Sequence, residues 1–256
     1  MKITLILLTI VGLATATEVA ETFADRSLSS VAIDVIENLR DEMPCGFPGL
    51  GIPPLTPLKI PHKEVNIDTE ALQLQGFVDN FRLNGLNDFD IDEMKINAIT
   101  SKVSFRFIFR NVNVDTGYDL RLLLKKAGFT INMVGSGPAK FAIKNMDVKG
   151  VLKYSLGLVS GKLKLKTLSI RTHIGEVESD IEGIMGEGDI NEKMNEVLAE
   201  IVEVAVNENE DNIAATIEKF AVPKVNSLLG DMSLADVIAA VGGNNEEKDK
   251  CIPPTY

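Results

Sequence analysis

The chain has 256 residues, 45% of them hydrophobic, and its 37 acidic against 26 basic side chains give a formal net charge of −11. A net acidic protein repels a phosphate backbone, so we expect no nucleic-acid partner. The length allows one large domain or two small ones, with enough apolar residues for a substantial core.

The N-terminus has the layout of a secretory signal peptide. Lys2 supplies a positive charge, residues 3–13 form an apolar run, and small residues follow, with cleavage expected near Ala16. The run is shorter than the roughly 20 apolar residues that span a bilayer. We therefore predict that residues 1–16 are removed and that the mature chain is soluble, secreted and extracellular.

Two cysteines, Cys45 and Cys251, would then meet an oxidising compartment. One disulfide between them is the simplest expectation, and two free or intermolecular thiols are the alternative. Two cysteines and two distant histidines have no metal-ligand spacing, so we expect no metal.

The first mature element is predicted to be an amphipathic helix. Apolar residues recur at three- and four-residue steps from Leu28 to Leu39, and the helix should end before Pro44. Residues 44–58 then contain five prolines and three glycines, which exclude regular structure. Their intervening apolar residues favour a segment packed along the domain rather than a flexible linker.

From residue 64 to about residue 185 the apolar period changes to two. Phe105, Phe107 and Phe109, for example, alternate with other side chains. Such alternation over consecutive strands indicates an antiparallel sheet with one buried and one wet face. The parity of the apolar set slips near Asn145, where we expect a bulge.

The last third is predicted to be helical again. Asp189 and Glu192 have the spacing of a capping box, and an apolar stripe follows. A continuous helix over residues 189–220 would be about 50 Å long at 1.5 Å per residue. Pro223 should kink or end it, and a shorter helical piece at 234–241 leads to a polar tail.

Five short strings occur in the order of one family's motifs. Residues 51–58 read GIPPLTPL, residues 84–89 read NGLNDF, Tyr118 begins a YDL string, residues 135–137 read GSG, and residues 207–209 read NEN. Together they resemble the haemolymph juvenile-hormone-binding/takeout family over roughly residues 26 to 230.

The resemblance implies an α+β fold of the tubular lipid-binding (TULIP-like) type. In this super-roll a long C-terminal helix is wrapped in a highly curved antiparallel sheet, with a tunnel between them. Residues 17–245 would form one domain and residues 246–256 a C-terminal tail. The implied function is that of a carrier of small hydrophobic ligands, terpenoid, juvenile-hormone-like or fatty-acid-like, without catalysis or cofactor, and we expect a monomer.

Inward-facing apolar and aromatic side chains are the candidate tunnel lining, because ligand pockets are mostly apolar with a few polar anchors. The tyrosine hydroxyls are candidate anchors. Core packing is the alternative for each of the candidates, which are Val31, Val35, Phe105, Phe107, Phe109, Tyr118, Leu120, Leu122, Phe129, Met133, Phe141, Tyr154 and Leu156.

Catalytic and metal-binding patterns are weak. The only histidines are His62 in a Pro61 loop and His173 at the end of a lysine-rich strand, and no Gly-x-Ser-x-Gly elbow occurs, since residues 135–137 are better interpreted as a hairpin turn. We therefore expect no enzyme. Residues 88–92 superficially resemble a calcium loop, but the alternation favours a strand with an acidic outer face.

Basic residues are concentrated between Lys140 and Arg171, where eight of them accompany one acid, Asp147. Such a strand face allows an alternative function, an extracellular recognition protein that contacts membrane or microbial lipid surfaces or a receptor. Outward lysines that keep sheet edges from pairing with other chains are the simpler interpretation.

Overall fold

The structure is a computed structural model that describes residues 28–48, 51–68, 72–126, 129–157, 161–184, 188–233, 236 and 251. Within this part, no helix is long and apolar enough to cross a membrane. The predicted signal peptide with its cleavage site at Ala16, most of the 234–241 piece and most of the C-terminal tail lie outside the described residues.

The predicted N-terminal helix is confirmed as α1, Leu28–Glu42. One face is buried through Ala32, Ile36 and Leu39. The proline-rich segment that follows packs back on the helix, because the Leu55 N–H donates to the Met43 carbonyl at 2.9 Å. Its apolar residues Ile52 and Leu55 are buried, as predicted.

The two cysteines form the expected disulfide, with 6.0 Å between the Cα atoms of Cys45 and Cys251. The bond joins the end of the α1 region to the C-terminal tail. It closes a loop with a sequence separation of 206 residues.

In the described part of the chain, seven antiparallel strands form one curved sheet. This confirms the period-two prediction, although the first strand begins six residues earlier than expected. The strands are β1 Leu58–Asp68, β2 Leu72–Asn84, β3 Phe89–Asn97, β4 Lys102–Lys126, β5 Phe129–Leu156, β6 Leu163–His173 and β7 Glu176–Ile181. The strand order is β1-β2-β4-β5-β6, with β3 on β4 and β7 on β5.

Along each of the long strands β4 and β5, the inward-facing residues change from odd-numbered to even-numbered positions, and both strands change at the same level of the sheet. On β4 the buried set passes from Phe109 to Val112, and the pairing stays continuous from Phe109 with Met146 to Asn111 with Lys144. The predicted bulge at Asn145 is therefore wrong for this pair. Asn145 has a left-handed backbone with φ of 52° instead, a conformation that Asn tolerates better than most residues.

The C-terminal helical region is divided into α2, Asp189–Asn207, and α3, Glu210–Leu229, so the prediction of one continuous helix is wrong at residues 208–209. Gly188 rather than Asp189 is the N-cap, without a side-chain cap bond. Pro223 lies inside α3 and does not end it. Ala221 and Val225 are buried on either side of it, so packing outweighs the lost helical hydrogen bond.

Within the described residues, three asparagines fasten helices α2 and α3 to the backbone of β6, of β7 and of the turn between these strands. In each asparagine clamp, one side-chain amide accepts from the N–H and donates to the carbonyl of one residue, at distances of 2.8 to 3.0 Å. The pairs are Asn195 with Ile181, Asn207 with Ile174, and Asn226 with Leu165. Because β6 and β7 are edge strands, the clamps on Leu165 and Ile181 satisfy backbone groups that another chain would otherwise pair with.

The apolar interior has two parts. A large cluster joins α1, α3 and strands β3 to β6. A smaller cluster around Met133, Ala139, Ile181 and Ile184 lies between β4, β5, β7 and α2.

Candidate ligand cavity

Residues of the smaller cluster line a partly open cavity of about 420 Å³. Strands β4 and β5 supply Tyr118, Leu120 and Met133, while Ile181 of β7 and Leu198 of α2 cover another side. The β1 and β2 strands complete the wall with Val65, Leu74, Val78 and Phe81. Five strands and one helix therefore contribute side chains to one hollow.

The wall is apolar apart from two hydroxyl groups among the described residues, and both donate to backbone carbonyls. Thr116 Oγ1 lies 3.0 Å from the Asp79 carbonyl and 2.8 Å from the Gly117 carbonyl. Tyr118 Oη donates to the Glu182 carbonyl at 2.6 Å. Burial raises the pKa of Tyr118. Both hydroxyl protons of the described wall are therefore already used in hydrogen bonds to the protein. The wall offers a ligand an essentially apolar surface.

Two of the family-like strings lie opposite each other at this wall. Tyr118 pairs with Gly137 and Leu120 with Gly135, so the GSG string is inside β5, and its interpretation as a hairpin turn is wrong. The glycines are needed because the chain after β7 crosses here. A Cβ on Gly135 would lie 2.7 Å from Tyr118 Oη and 2.9 Å from the Gly183 carbonyl.

The structure brings together five of the predicted lining residues. Tyr118, Leu120, Leu122, Met133 and Phe141 all line the cavity. The side chains of Val31 and Phe129 lie outside the described part. The other six candidates belong to the large cluster and do not line the cavity; they are Val35, Phe105, Phe107, Phe109, Tyr154 and Leu156.

Aromatic packing explains why those six lie elsewhere. The ring of Phe107 is 5.2 Å from Phe89 and 5.1 Å from Phe105, between centroids. Gly150 makes room for this cluster, since a Cβ there would lie 1.9 Å from Phe105 Cζ. The described side chains around these rings are packed together, and the cavity lies in the smaller cluster instead. Whether any of the predicted residues contacts a ligand stays a prediction.

Sequence reasoning missed part of the wall. The β1–β2 side chains were not singled out, although Leu74 and Val78 follow the same alternation as later strands. Ile181, Ile184 and Leu198 were missed because only tertiary packing brings the β7–α2 region over β5.

Comparison with known proteins agrees with this architecture. The family model described as haemolymph juvenile hormone binding protein (JHBP) matches residues 5–239. The chain belongs to this family. Among curated proteins, no sequence relative matches.

Two solved structures are similar to this JHBP-family chain. Takeout 1 of Epiphyas postvittana has a TM-score of 0.55 at 14% identity, covering 83% of this chain and 91% of that one, and it supports the fold. A lipopolysaccharide binding protein has a TM-score of 0.32 at 12% identity, covering 78% of this chain and 40% of that one. The similarity to the second structure is too weak to support the fold.

The two histidines of this JHBP-family chain lie on its surface. His62 is in β1, not in a loop, with Nδ1 2.5 Å from Asp79 Oδ1, and His173 Nδ1 is 3.0 Å from Glu210 Oε1. Neither lines the cavity. Within the described residues no group of three or more His, Cys, Asp or Glu side chains is placed to hold a metal.

The acidic string at 88–92 is a strand start with an acidic outer face, as predicted. Phe89 is buried, and Asp90 and Asp92 face solvent. Arginines of β4 neutralise them, since Arg110 Nη2 lies 2.6 Å from Asp90 and Arg106 Nη1 lies 2.8 Å from Asp92.

The basic stretch is largely paired with carboxylates. Five of its eight basic side chains lie within 4.0 Å of an acid: Lys140, Lys144, Lys149, Lys162 and Arg171. These ion pairs reduce the positive field that the alternative function would need. A lipid-surface or receptor contact stays a prediction without added support.

Proposed function

We propose that the chain is a secreted carrier that binds a small hydrophobic ligand in the apolar cavity and performs no catalysis. The cavity carries the proposal, because its volume of about 420 Å³ lies within the roughly 300–1,000 Å³ of small-molecule sites. Family membership supports the same function. A terpenoid, juvenile-hormone-like or fatty-acid-like chain has the required apolar character.

Desolvation supplies enough free energy for such binding. Burying about 400 Å² of ligand surface at roughly 25 cal/mol per Å² gives about 10 kcal/mol before association costs. Micromolar affinity needs about 8 kcal/mol. A purely apolar wall therefore suffices for useful affinity.

Secretion is part of the proposal. The signal-like residues 1–16 support it, and so does the disulfide between Cys45 and Cys251, because structural disulfides persist mainly in oxidising compartments. Detection of the chain in medium, with an N-terminus near residue 17, is the expected result.

The carrier function is tested by extracting lipid from the secreted protein and by displacing an apolar fluorophore with candidate ligands. Ala139→Phe should abolish binding, because Ala139 is buried in the cavity wall. Ala142→Phe is the matched control, since alternation places residue 142 on the opposite face of the same strand. A folded wild-type protein that binds no apolar molecule would refute the carrier function.

A further inference from the structure

The inner boundary of the cavity runs across three neighbouring strands. Val114 of β4 pairs with Phe141 of β5, and both line the cavity. Val114 also pairs with Leu83 of β2, and Leu83 belongs to the packed large cluster. One step further, the pair of Val112 and Ile143 belongs entirely to that cluster. The cavity therefore gives way to packed core within one row of side chains.

The third strand has its boundary at the same level. Phe81 of β2 lines the cavity, while Leu83, the next inward side chain, belongs to the core. Behind the row, Val112 is 3% exposed and Phe109 is 6% exposed. Packed interiors leave few voids larger than a water molecule, so a ligand that reaches the row meets side chains that, among the described residues, are already packed against each other.

We propose that Phe81, Val114 and Phe141 form a floor that sets the maximum length of ligand that the cavity accepts. This inference rests on the proposed carrier function and adds a specificity determinant to it. Chains shorter than the distance to the floor leave space unfilled, and longer chains must leave apolar carbons in water.

A floor has a measurable signature in a homologous series of saturated straight-chain alcohols. Each methylene that is buried tightens the dissociation constant about fourfold. The gain ends when the chain reaches the floor, because further methylenes stay in solvent. Affinity plotted against chain length should therefore rise and then level off. We call the chain length at which it levels off the break.

Floor substitutions should move the break in opposite directions. Phe141→Ala vacates the space of a ring, so the break moves to longer alcohols, and the first chain beyond the wild-type break gains about fourfold in affinity. Val114→Phe fills the inner end and moves the break to shorter alcohols. Phe77→Ala is the matched control, because Phe77 lies outside the cavity, with its ring tilted against the exposed His62 ring at 5.4 Å between centroids.

The outcomes separate the two levels of the proposal. If wild-type protein binds no alcohol of any length, the carrier function fails. If it binds with a break that neither Phe141→Ala nor Val114→Phe moves, or that Phe77→Ala moves equally, the floor is refuted. Thermal unfolding of each variant checks folding, and Val114→Phe alone decides the matter if Phe141→Ala does not fold.

Discussion

Asn195 in α2 binds both backbone groups of Ile181, the last residue of β7. Its Oδ1 accepts from the Ile181 N–H at 2.8 Å, and its Nδ2 donates to the Ile181 carbonyl at 3.0 Å. A side-chain amide has the same donor and acceptor as a strand neighbour. Because Ile181 also lines the cavity, this clamp holds one wall of the candidate site.

We predict that Asn195→Ala lowers the free energy of unfolding by about 1–3 kcal/mol, since it leaves the Ile181 N–H without a partner, while the Ile181 carbonyl keeps its bond from Asn191 Nδ2 at 2.8 Å. Asn212→Ala is the control, because Asn212 is an exposed residue of α3 outside the three clamps. The control should change stability by less than about 0.5 kcal/mol. Denaturant unfolding measures both, and equal effects would contradict the clamp.

Gly135 and Gly117 offer a second matched comparison, on facing strands of the same wall region. A Cβ at Gly135 would meet Tyr118 Oη at 2.7 Å, whereas at Gly117 the nearest atom is the Asp79 carbonyl oxygen at 3.5 Å. We expect Gly135→Ala to cost about 1–3 kcal/mol through overpacking and Gly117→Ala to be nearly neutral. If thermal unfolding shows that Gly135→Ala does not lower stability, the place where the chain after β7 crosses Gly135 tolerates more bulk.

The buried Tyr154 and the half-buried Tyr118 should respond oppositely to loss of the hydroxyl. Tyr154 Oη is buried with no hydrogen-bond partner in the described part of the chain, so Tyr154→Phe should keep or raise stability. Tyr118→Phe loses the bond to the Glu182 carbonyl and should cost about 1 kcal/mol. Denaturant unfolding at neutral pH measures both, and the reverse order would refute this assignment.

The same phenols give a pH prediction. Burial raises the pKa of Tyr118 and the pKa of Tyr154. Each phenol therefore holds its proton more tightly in the folded state. This contribution is fully present below the ordinary tyrosine pKa of about 10 and is lost as the pH rises through the raised values. The Tyr118→Phe, Tyr154→Phe double variant should lose less stability above that pH than wild type.

The sequence predicted those parts of the fold that depend on local periodicity. Alternation around Phe105 and Phe107 placed β4, and the three- and four-residue steps after Leu28 placed α1. The break after Asn207 was missed, although residues 207–212 are all polar, because the apolar stripe resumes at Ile213. Asn207 instead bonds the backbone of Ile174 at 2.8 Å, a tertiary contact without a local signature.

The cavity was harder to predict than the sheet for the same reason. Period two predicts the inward face on each half of β4, around Phe105 and around Tyr118, although the inward parity changes between Phe109 and Val112. It does not separate a filled region from a hollow one. Gly150 decides the filled region by admitting the Phe105 ring. That effect depends on strand pairing between residues far apart in sequence, which no local pattern contains.

The disulfide should contribute strongly to stability. For a loop with a separation of 206 residues, restricting the unfolded chain gives about 5 kcal/mol in the loop-entropy view. We expect the Cys45→Ser, Cys251→Ser double variant to unfold at a markedly lower temperature and to be unaffected by reductant. Wild type should lose a similar amount on reduction. If reduction leaves the wild-type transition unchanged, the bond does not stabilise the protein by restricting the unfolded chain.

Finally, the wall chemistry predicts discrimination by ligand charge. Of the described residues that line the cavity, none carries a charge, and the Thr116 and Tyr118 hydroxyls already donate to carbonyls. A buried carboxylate would meet neither a cation nor a spare donor there, which is costly. We therefore expect an alcohol to bind at least tenfold more tightly than the acid of equal chain length at pH 8. Lowering the pH should strengthen only the acid, because its neutral form is the one that binds. Equal affinities at pH 8, or an acid that binds more tightly, would show that a charged group reaches the ligand.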